Sequence, residues 1–572
     1  MTEVDRICDL PRMEYDEPAL IAKWTALLGT PGGSFSFFAD QAKGLEAAAH
    51  ARGGLFPITT GGGKTLLSMA LPLALGIDPG DVVVLCPPGL ETEAAFEREK
   101  YLEHFALEPT GTSVRYVPYS TLSREAGVTL LTDLAPRLII ADEAHCLKNK
   151  KAARTNRFLK FMKRNPDCLF VGMSGTFYNG ALYDFAHLAQ LALRENSPLP
   201  SHYNTLAAWG RCVDVMPQMP ATKQDWYVFN RLKDEFCDLD PLTSTPREQG
   251  RNAFRNRLKT APGVVVSDGD SCSTSLVAHM LKDGCPMPDA VVEAIKAARN
   301  ELVLPNGLDI DTPMHAAEKS KQLSLGWYYY PDWPNGVVDM DWVYTRREYM
   351  SALWQFVKVG RHGLDTPGLV EQQLRAGTLN NTSLVRLWEE WQKHAWKPEP
   401  PVKPQWIDES IMQWYLEQAR CIRDTHGPVL IWCGHVEEQR WLAEHGVPAN
   451  TIGKRPEHGP EVGIASCSIA SHGTGYNLQA WNQNLVLCPP SNAGMWQQML
   501  ARTHRAGQTQ DVHVWIAQHS TPFRNAWRKA RLYAQGIENT MESVMKIEHM
   551  VWPAGRIVWT EFDPEDKSSI FD

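Results

Sequence analysis

The chain has 572 residues, 43% of them hydrophobic and 22% charged, which excludes a disordered or fibrous protein and, at ~150 residues per domain, leaves room for roughly three to four domains. No run of 18 apolar residues occurs and the opening Met1-Thr2-Glu3-Val4-Asp5-Arg6 lacks an apolar signal core, so no membrane contact and an intracellular location are expected. The net charge of −9 argues against a uniformly basic surface, though not against a local basic channel.

Along the first third, continuous apolar runs alternate with helical patterns: Val82–Cys86, Leu138–Ala141 and Cys168–Gly172. Uninterrupted apolar strands separated by helices indicate a parallel sheet buried on both faces. From about 197 to 410 the chain becomes rich in Trp, Tyr and charge, with helices expected over Gln224–Glu235, Asp289–Asn300 and Leu384–His394. The aromatics Trp327, Tyr328, Tyr329, Tyr330 and Trp333 are expected to pack in a helical layer, with base stacking as the rival reading. The Pro-rich stretch from Trp396 to Pro404 reads as a semi-rigid connector. Apolar runs then return at Val429–Trp432, Val462–Ala465, Asn484–Cys488 and Val512–Ile516. The expected fold is therefore α/β, with two parallel-sheet domains flanking a mainly helical, aromatic-rich central insertion. Its expected divisions are an extension over 1–34, a first sheet domain over 35–196, the insertion over 197–410, a second sheet domain over 411–535 and a tail over 536–572.

The 12 cysteines include no C-x-x-C pair and several sit in apolar runs (Cys86, Cys168, Cys433, Cys488). They read as reduced core residues, not as a zinc site or a disulfide framework. A basic cluster of Lys148, Lys150, Lys151, Arg154, Arg157, Lys160, Lys163 and Arg164 contains no acid; it is either a nucleic-acid contact or a solvated helix face. Arg524, Arg528, Lys529 and Arg531 form a smaller one.

Two local patterns carry chemistry. Thr60-Gly61-Gly62-Gly63-Lys64-Thr65 precedes the helical run Leu66–Leu75. Glycines let backbone N–H groups curl towards phosphate oxygens at a helix start, where Lys64 would reach the β- and γ-phosphates and the Thr65 hydroxyl would bind Mg²⁺. Ile58 occupies the first glycine position of the G-x-x-x-x-G-K pattern. The second pattern is an apolar strand, Leu138–Ala141, ending in Asp142-Glu143. Asp142 can hold the water shell of a metal ion, and Glu143 can orient and deprotonate an attacking water.

Asp142-Glu-Ala-His145-Cys-Leu-Lys148-Asn149 resembles the D-E-A-H-x-x-K-N of Swi/Snf-type ATPases in helicase superfamily 2. Val83–Leu90 looks like motif Ia, Tyr119–Leu122 like motif Ib, Ser174-Gly175-Thr176 like motif III, Pro428–Cys433 like motif IV and Ser471–Leu478 like motif V. Gln498–Gln508, with Arg502-Thr-His504-Arg505-Ala-Gly507-Gln508, is close to the family's R-x-H-R-x-G-Q. The similarity covers roughly 35–190 and 425–535. It implies two RecA-like domains, ATP and Mg²⁺ as cofactors, and Arg502 and Arg505 as arginine fingers completing the catalytic set Lys64, Asp142 and Glu143. It further implies nucleotide contacts from Gln41, Thr60, Gly61, Gly62, Gly63, Lys64, Thr65, Gly475 and Gln508, with Thr65 and Asp142 serving Mg²⁺, the latter through water. Gln41 sits at the adenine-reading position, although Asp40 stands where the family has an aromatic. His472 replaces a motif V glycine, which would alter how that loop meets backbone phosphates.

The expected function is a monomeric ATP-dependent translocase on double-stranded DNA. The alternatives are a strand-separating or annealing helicase on forked DNA or RNA, and an ATP-switched clamp for a protein partner.

Overall fold

The computed structural model describes residues 2–553, apart from 60, 268–271, 282, 360–363 and 474–475. Strands β1 (Gly54–Phe56), β2 (Val82–Cys86), β3 (Arg115–Pro118), β4 (Leu138–Asp142) and β5 (Leu169–Met173) form one parallel sheet in the order β1-β5-β4-β2-β3. Every residue of β2, β4 and β5 is buried, because helices cover both faces, and this is why those segments read as unbroken apolar runs. The free edge of β1 is lined by residues 263–267: Leu55 bridges Val264 in parallel, and Ser267 N donates to Pro57 O at 3.1 Å.

Further along come β6 (Leu276–Leu281), β7 (Trp327–Pro331), β8 (Val402–Trp406), β9 (Val429–Cys433), β10 (Ile464–Ser468), β11 (Gln483–Val486) and β12 (Val512–Ala517). A second parallel sheet has the order β10-β9-β11-β12-β6, so the expected pair of parallel sheets is present, and each has five strands. Among the described residues no helix is long and apolar enough to cross a membrane.

The central stretch differs from the expectation of a mainly helical layer. The expected helices occur, at Lys223–Phe236, Asp289–Lys296 and Thr382–Gln392. However, β6 leaves that stretch to become the edge of the second sheet, with Leu276 and Ala278 buried and Val277 and His279 half-exposed, the alternation of an edge strand. The Pro-rich connector also folds differently: its end is β8, paired antiparallel with β7 so that Tyr328 faces Gln405. Trp327 and Tyr328 are fully buried and the Tyr328 hydroxyl donates to Gln405 Oε1 at 2.6 Å, so these rings pack and are not offered to bases.

The two sheets are not independent bodies joined by a tether. One hydrophobic core runs from Leu55, Val83 and Ile139 through Trp209, Phe229 and Phe254 to Trp432 and Ile516. The long helix Thr521–Met541 crosses between them, with Gly536 so close to Val215 that a Cβ there would lie 2.3 Å from it. Helices Met340–Val359, Pro367–Arg375 and Thr382–Gln392 bury a separate small core of Tyr349, Leu353, Val370 and Leu384. That module is tied to the first sheet domain by a buried ion pair, Arg157 to Asp365 at 2.8 Å, while Arg157 also donates to the carbonyls of Leu122 and Arg124. Removing one member of a buried pair strands the other charge. Asp365→Ala is therefore expected to lower stability by about 3 kcal/mol, whereas Arg157→Met combined with Asp365→Leu recovers much of the loss in urea unfolding.

Candidate active site

The sheet order places the carboxyl ends of β1, β5 and β4 side by side, and the two chemical motifs follow from β1 and β4. After β1 the chain passes Ile58 and Thr59, turns through Gly61 (φ 95°) and Gly63 (φ 72°), and enters the helix Lys64–Ala74. A Cβ at Gly63 would lie 2.1 Å from Gln41 Nε2, and one at Gly62 would lie 2.5 Å from the Ile58 side chain. Only glycine fits both positions, and Ile58, standing in the first glycine's place, packs against the loop it starts. The first N–H groups of the helix open at this turn without intrahelical acceptors, as at any helix start.

Lys64 is buried, with Nζ 3.2 Å from Glu143 Oε1 and 3.3 Å from the Ile58 carbonyl. Glu143 adopts a left-handed backbone (φ 52°), an uncommon conformation for a residue with a side chain, which turns its carboxylate back over the strand ends. Ser174 Oγ donates to Glu143 Oε2 at 3.2 Å, and His145 Nδ1 lies 3.2 Å from the same oxygen. His145 also meets Ser174 Oγ at 3.0 Å and Thr176 Oγ1 at 3.3 Å. The motif III turn after β5 is thus wired directly into the acidic pair. Tyr119, from the motif Ib segment, donates to the Asp142 carbonyl at 2.8 Å.

The two acids differ in charge. Burial raises Asp142 to about 6 despite Lys64, with the Glu143 charge adding to the rise. Burial also opposes ionisation of Glu143, but Lys64 and His145 outweigh it and hold that carboxyl well below its usual range. His145 is pushed up to about 9: burial works against its charge and is overcome by its contacts with Cys146 and Glu143. Glu143 is therefore an ionised acceptor and Asp142 a buried carboxyl that gains from a nearby cation. The hard oxygens of Asp142 and the half-buried Thr65 fit a Mg²⁺ ion bound partly through water.

The second sheet domain reaches this cluster through the helix Ala493–Thr503. Its start abuts motif III, where a Cβ at Gly494 would lie 3.6 Å from Thr176. Its end carries Arg502, which is buried. Burial lowers its guanidinium to about 10, and the charges of Glu143 and Asp142 oppose that fall. Arg502 Nε donates to the carbonyls of Gly473 and Gln498, both at 3.1 Å, so this arginine also braces motif V. Arg505 is half-exposed and makes no side-chain hydrogen bond or ion pair among the described residues.

Other expected contact residues are engaged by their own chain. Gln41 is buried, its Oε1 accepting from Phe38 N at 2.8 Å and its Nε2 donating to Gly63 O at 2.9 Å; here it shapes the glycine loop. Gln508 donates to Gln479 O and Thr503 O and accepts from Thr509 N and Gln510 N, so its amide holds the turn after Arg505. Thr60 and Gly475 lie outside the described residues. His472 points inward, accepting from Ser468 N at 3.1 Å and meeting Thr451 O at 3.1 Å, and so pins a neighbouring loop. In the basic cluster, Arg157 and Arg154 are engaged by Asp365 and by the Cys146 carbonyl, leaving Lys151, Lys163 and Arg164 as its exposed members.

Two contributors were not singled out from the sequence. Ser267 accepts from Thr59 N at 3.2 Å and donates to Asp40 Oδ2 at 2.7 Å, fixing the entry to the glycine loop. The apolar run Val264–Val266 was its only local signal. Phe38 is 61% exposed beside the loop, 3.5 Å from where a Gly63 Cβ would stand.

The arrangement can cradle a polyphosphate, position a water beside an ionised carboxylate and present a cation from the opposite domain. Gly63→Ala, which requires a strained left-handed alanine and displaces Gln41, is expected to weaken binding of a fluorescent nucleotide by at least about tenfold.

No family model matches the chain, and no curated protein matches it either.

Proposed function

We propose that the protein is an ATPase whose two sheet domains, a RecA-like pair of the Swi/Snf type, clamp one nucleotide and couple its hydrolysis to movement along double-stranded DNA. The observation that carries the reading is that the helix bearing Arg502 starts against Thr176, beside the Lys64–Glu143 pair, and sets the Arg502 charge near enough to feel Glu143 and Asp142 across sequence separations of more than 300 residues. A binding protein needs only the first set; a guanidinium brought to the acidic pair from a second domain suits hydrolysis gated by closure.

In this reading, the triphosphate takes over the contact that Glu143 now makes with Lys64, and the N–H groups at the start of Lys64–Ala74 hold its oxygens. Glu143, freed from Lys64 and kept in place by Ser174 and His145, accepts the proton of the attacking water. Thr65 and Asp142 are the residues that would hold Mg²⁺, which would supply neutralisation of the phosphate oxygens. Arg505, with a side chain not engaged by described neighbours, carries charge to the γ-phosphate, while Arg502 ties that event to motif V through Gly473. Phe38 offers a flat apolar face to the base. Further contacts between the domains lie along the same cleft: Arg455 sits 5.9 Å over the Phe96 ring, and the Tyr476 hydroxyl would lie 3.5 Å from a Cβ at Gly89. The second of these joins motif Ia to motif V, the segments that the resemblance assigns to gripping phosphates. DNA binding would rest on local cations such as Lys151, Lys163 and Arg164, and should weaken steeply with salt.

Duplex DNA is expected to raise the ATPase rate; equal rates with and without duplex, single-stranded, forked or RNA ligands rule out the motor and favour a clamp. Glu143→Gln should keep ATP binding, lose ~10²–10⁴ in hydrolysis and remain trapped on DNA by ATP. Arg505→Ala should lose ~10³ or more in turnover with an unchanged melting temperature, and near-normal turnover would sink the finger assignment.

A further inference from the structure

We propose that His435, Glu438 and Cys488 form a binding site for a zinc-type divalent cation at the carboxyl edge of the second sheet. The winding of that sheet reverses between two of its strands: from β9 the chain goes to β10 on one side, then to β11 on the other. In open parallel sheets, the crevice outside the carboxyl ends of such a strand pair is the favoured place for a ligand. His435 lies two residues beyond β9, and Cys488 two residues beyond β11. Glu438 follows His435 in the first turn of the helix Val436–Glu444. One ligand atom from each of the three lies within 4.8 Å of the others.

Several details match a cation site. Glu438 is fully buried, and its Oε2 is held by the backbone N–H groups of Gly434 (2.6 Å) and His435 (3.3 Å), which leaves Oε1 directed at His435 Nδ1, 2.9 Å away. The other imidazole nitrogen, Nε2, is 2.8 Å from Glu318 Oε1. A carboxylate on the far nitrogen is the usual outer partner of a metal-binding histidine, because it fixes the ring and its tautomer. Gly434 keeps the centre open: a Cβ there would stand 3.2 Å from Cys488 Sγ and 3.8 Å from Glu438 Oε1. Zinc takes nitrogen, oxygen and thiolate ligands at ~2.0–2.3 Å, so small side-chain shifts around one centre would let the three atoms serve it, leaving a fourth position for water. A mixed N/O/S set favours zinc over magnesium or calcium.

The test uses the full chain, stripped of metal with a chelator, then titrated with Zn²⁺ against a chromogenic chelator and with Co²⁺ followed by thiolate charge-transfer absorption. The expected result is one equivalent of metal with a thiolate–cobalt band. Cys488→Ser should remove the band and weaken Zn²⁺ at least about 100-fold, and Glu318→Gln should weaken it about tenfold. Cys421→Ser, an exposed cysteine elsewhere, should change nothing. Circular dichroism in chelator checks that each variant is folded, and Glu318→Gln stands as the test if Cys488→Ser is not. Absence of stoichiometric metal in the wild type overturns the proposal and leaves Glu318, His435 and Glu438 as a metal-free ion triad. So does a thiolate band that survives in Cys488→Ser, or unchanged affinity in Glu318→Gln.

Discussion

The ammonium of Lys64 and the carboxylate of Glu143 meet 3.2 Å apart with little access to water, and the geometry around them answers to that contact. Neither charge can be buried alone, since an unpaired ion in such a site costs several kcal/mol. The left-handed backbone at Glu143 turns its carboxylate toward the lysine, and Ser174 and His145 take up its second oxygen. β5 lies between β1 and β4, so the serine at its end stands between the glycine loop and the acidic pair. Backbone strain of this kind persists where the surroundings over-determine it. Here three side chains, Lys64, Ser174 and His145, do so at once.

The same contact decides how substitutions should be read. Removing Lys64 would leave two neighbouring carboxyls without their cation, so lost activity could come from lost folding. Arg502 carries a similar ambiguity, because it holds the Gly473 and Gln498 carbonyls and so braces the 471–478 segment. Gln41 and Gln508 are likewise engaged by their own chain. Arg505 differs: half-exposed, and with no hydrogen bond or ion pair of its side chain among the described residues, it contributes little to the resting fold. A side chain that a fold positions but does not use is the better indicator of function.

The parts legible in sequence were those where one residue type has one physical solution. The strands β2, β4, β5 and β9 are buried on both faces, and only continuous apolar runs satisfy that. The glycine loop and the acidic strand end were legible for the same reason. Edge structure was not. β6 shows only half an apolar pattern and lies in a stretch dominated by aromatic and charged residues, and β8 hides in a proline-rich segment because an edge strand tolerates proline. Ser267 and the His435–Glu438–Cys488 group depend on strand order, which brings together residues far apart in the chain and leaves no spacing to read.

Burial also explains how the 471–478 segment accommodates a histidine. His472 stands where the resemblance places a glycine, and an outward imidazole there would crowd whatever approaches the loop. The side chain is instead fully buried, with one ring nitrogen accepting from Ser468 N and the other beside the Thr451 carbonyl. Burial lowers its pKa, so it remains a neutral ring, with Nδ1 free of a proton and Nε2 donating. The ring therefore exchanges local freedom for a tie between the 451 segment and the start of motif V. Arg502 holds the next residue, Gly473, from the opposite side. The 471–478 segment is thus held by His472 on one side and by Arg502, which also donates to Tyr476 O, on the other, so its position is tied to that of Arg502.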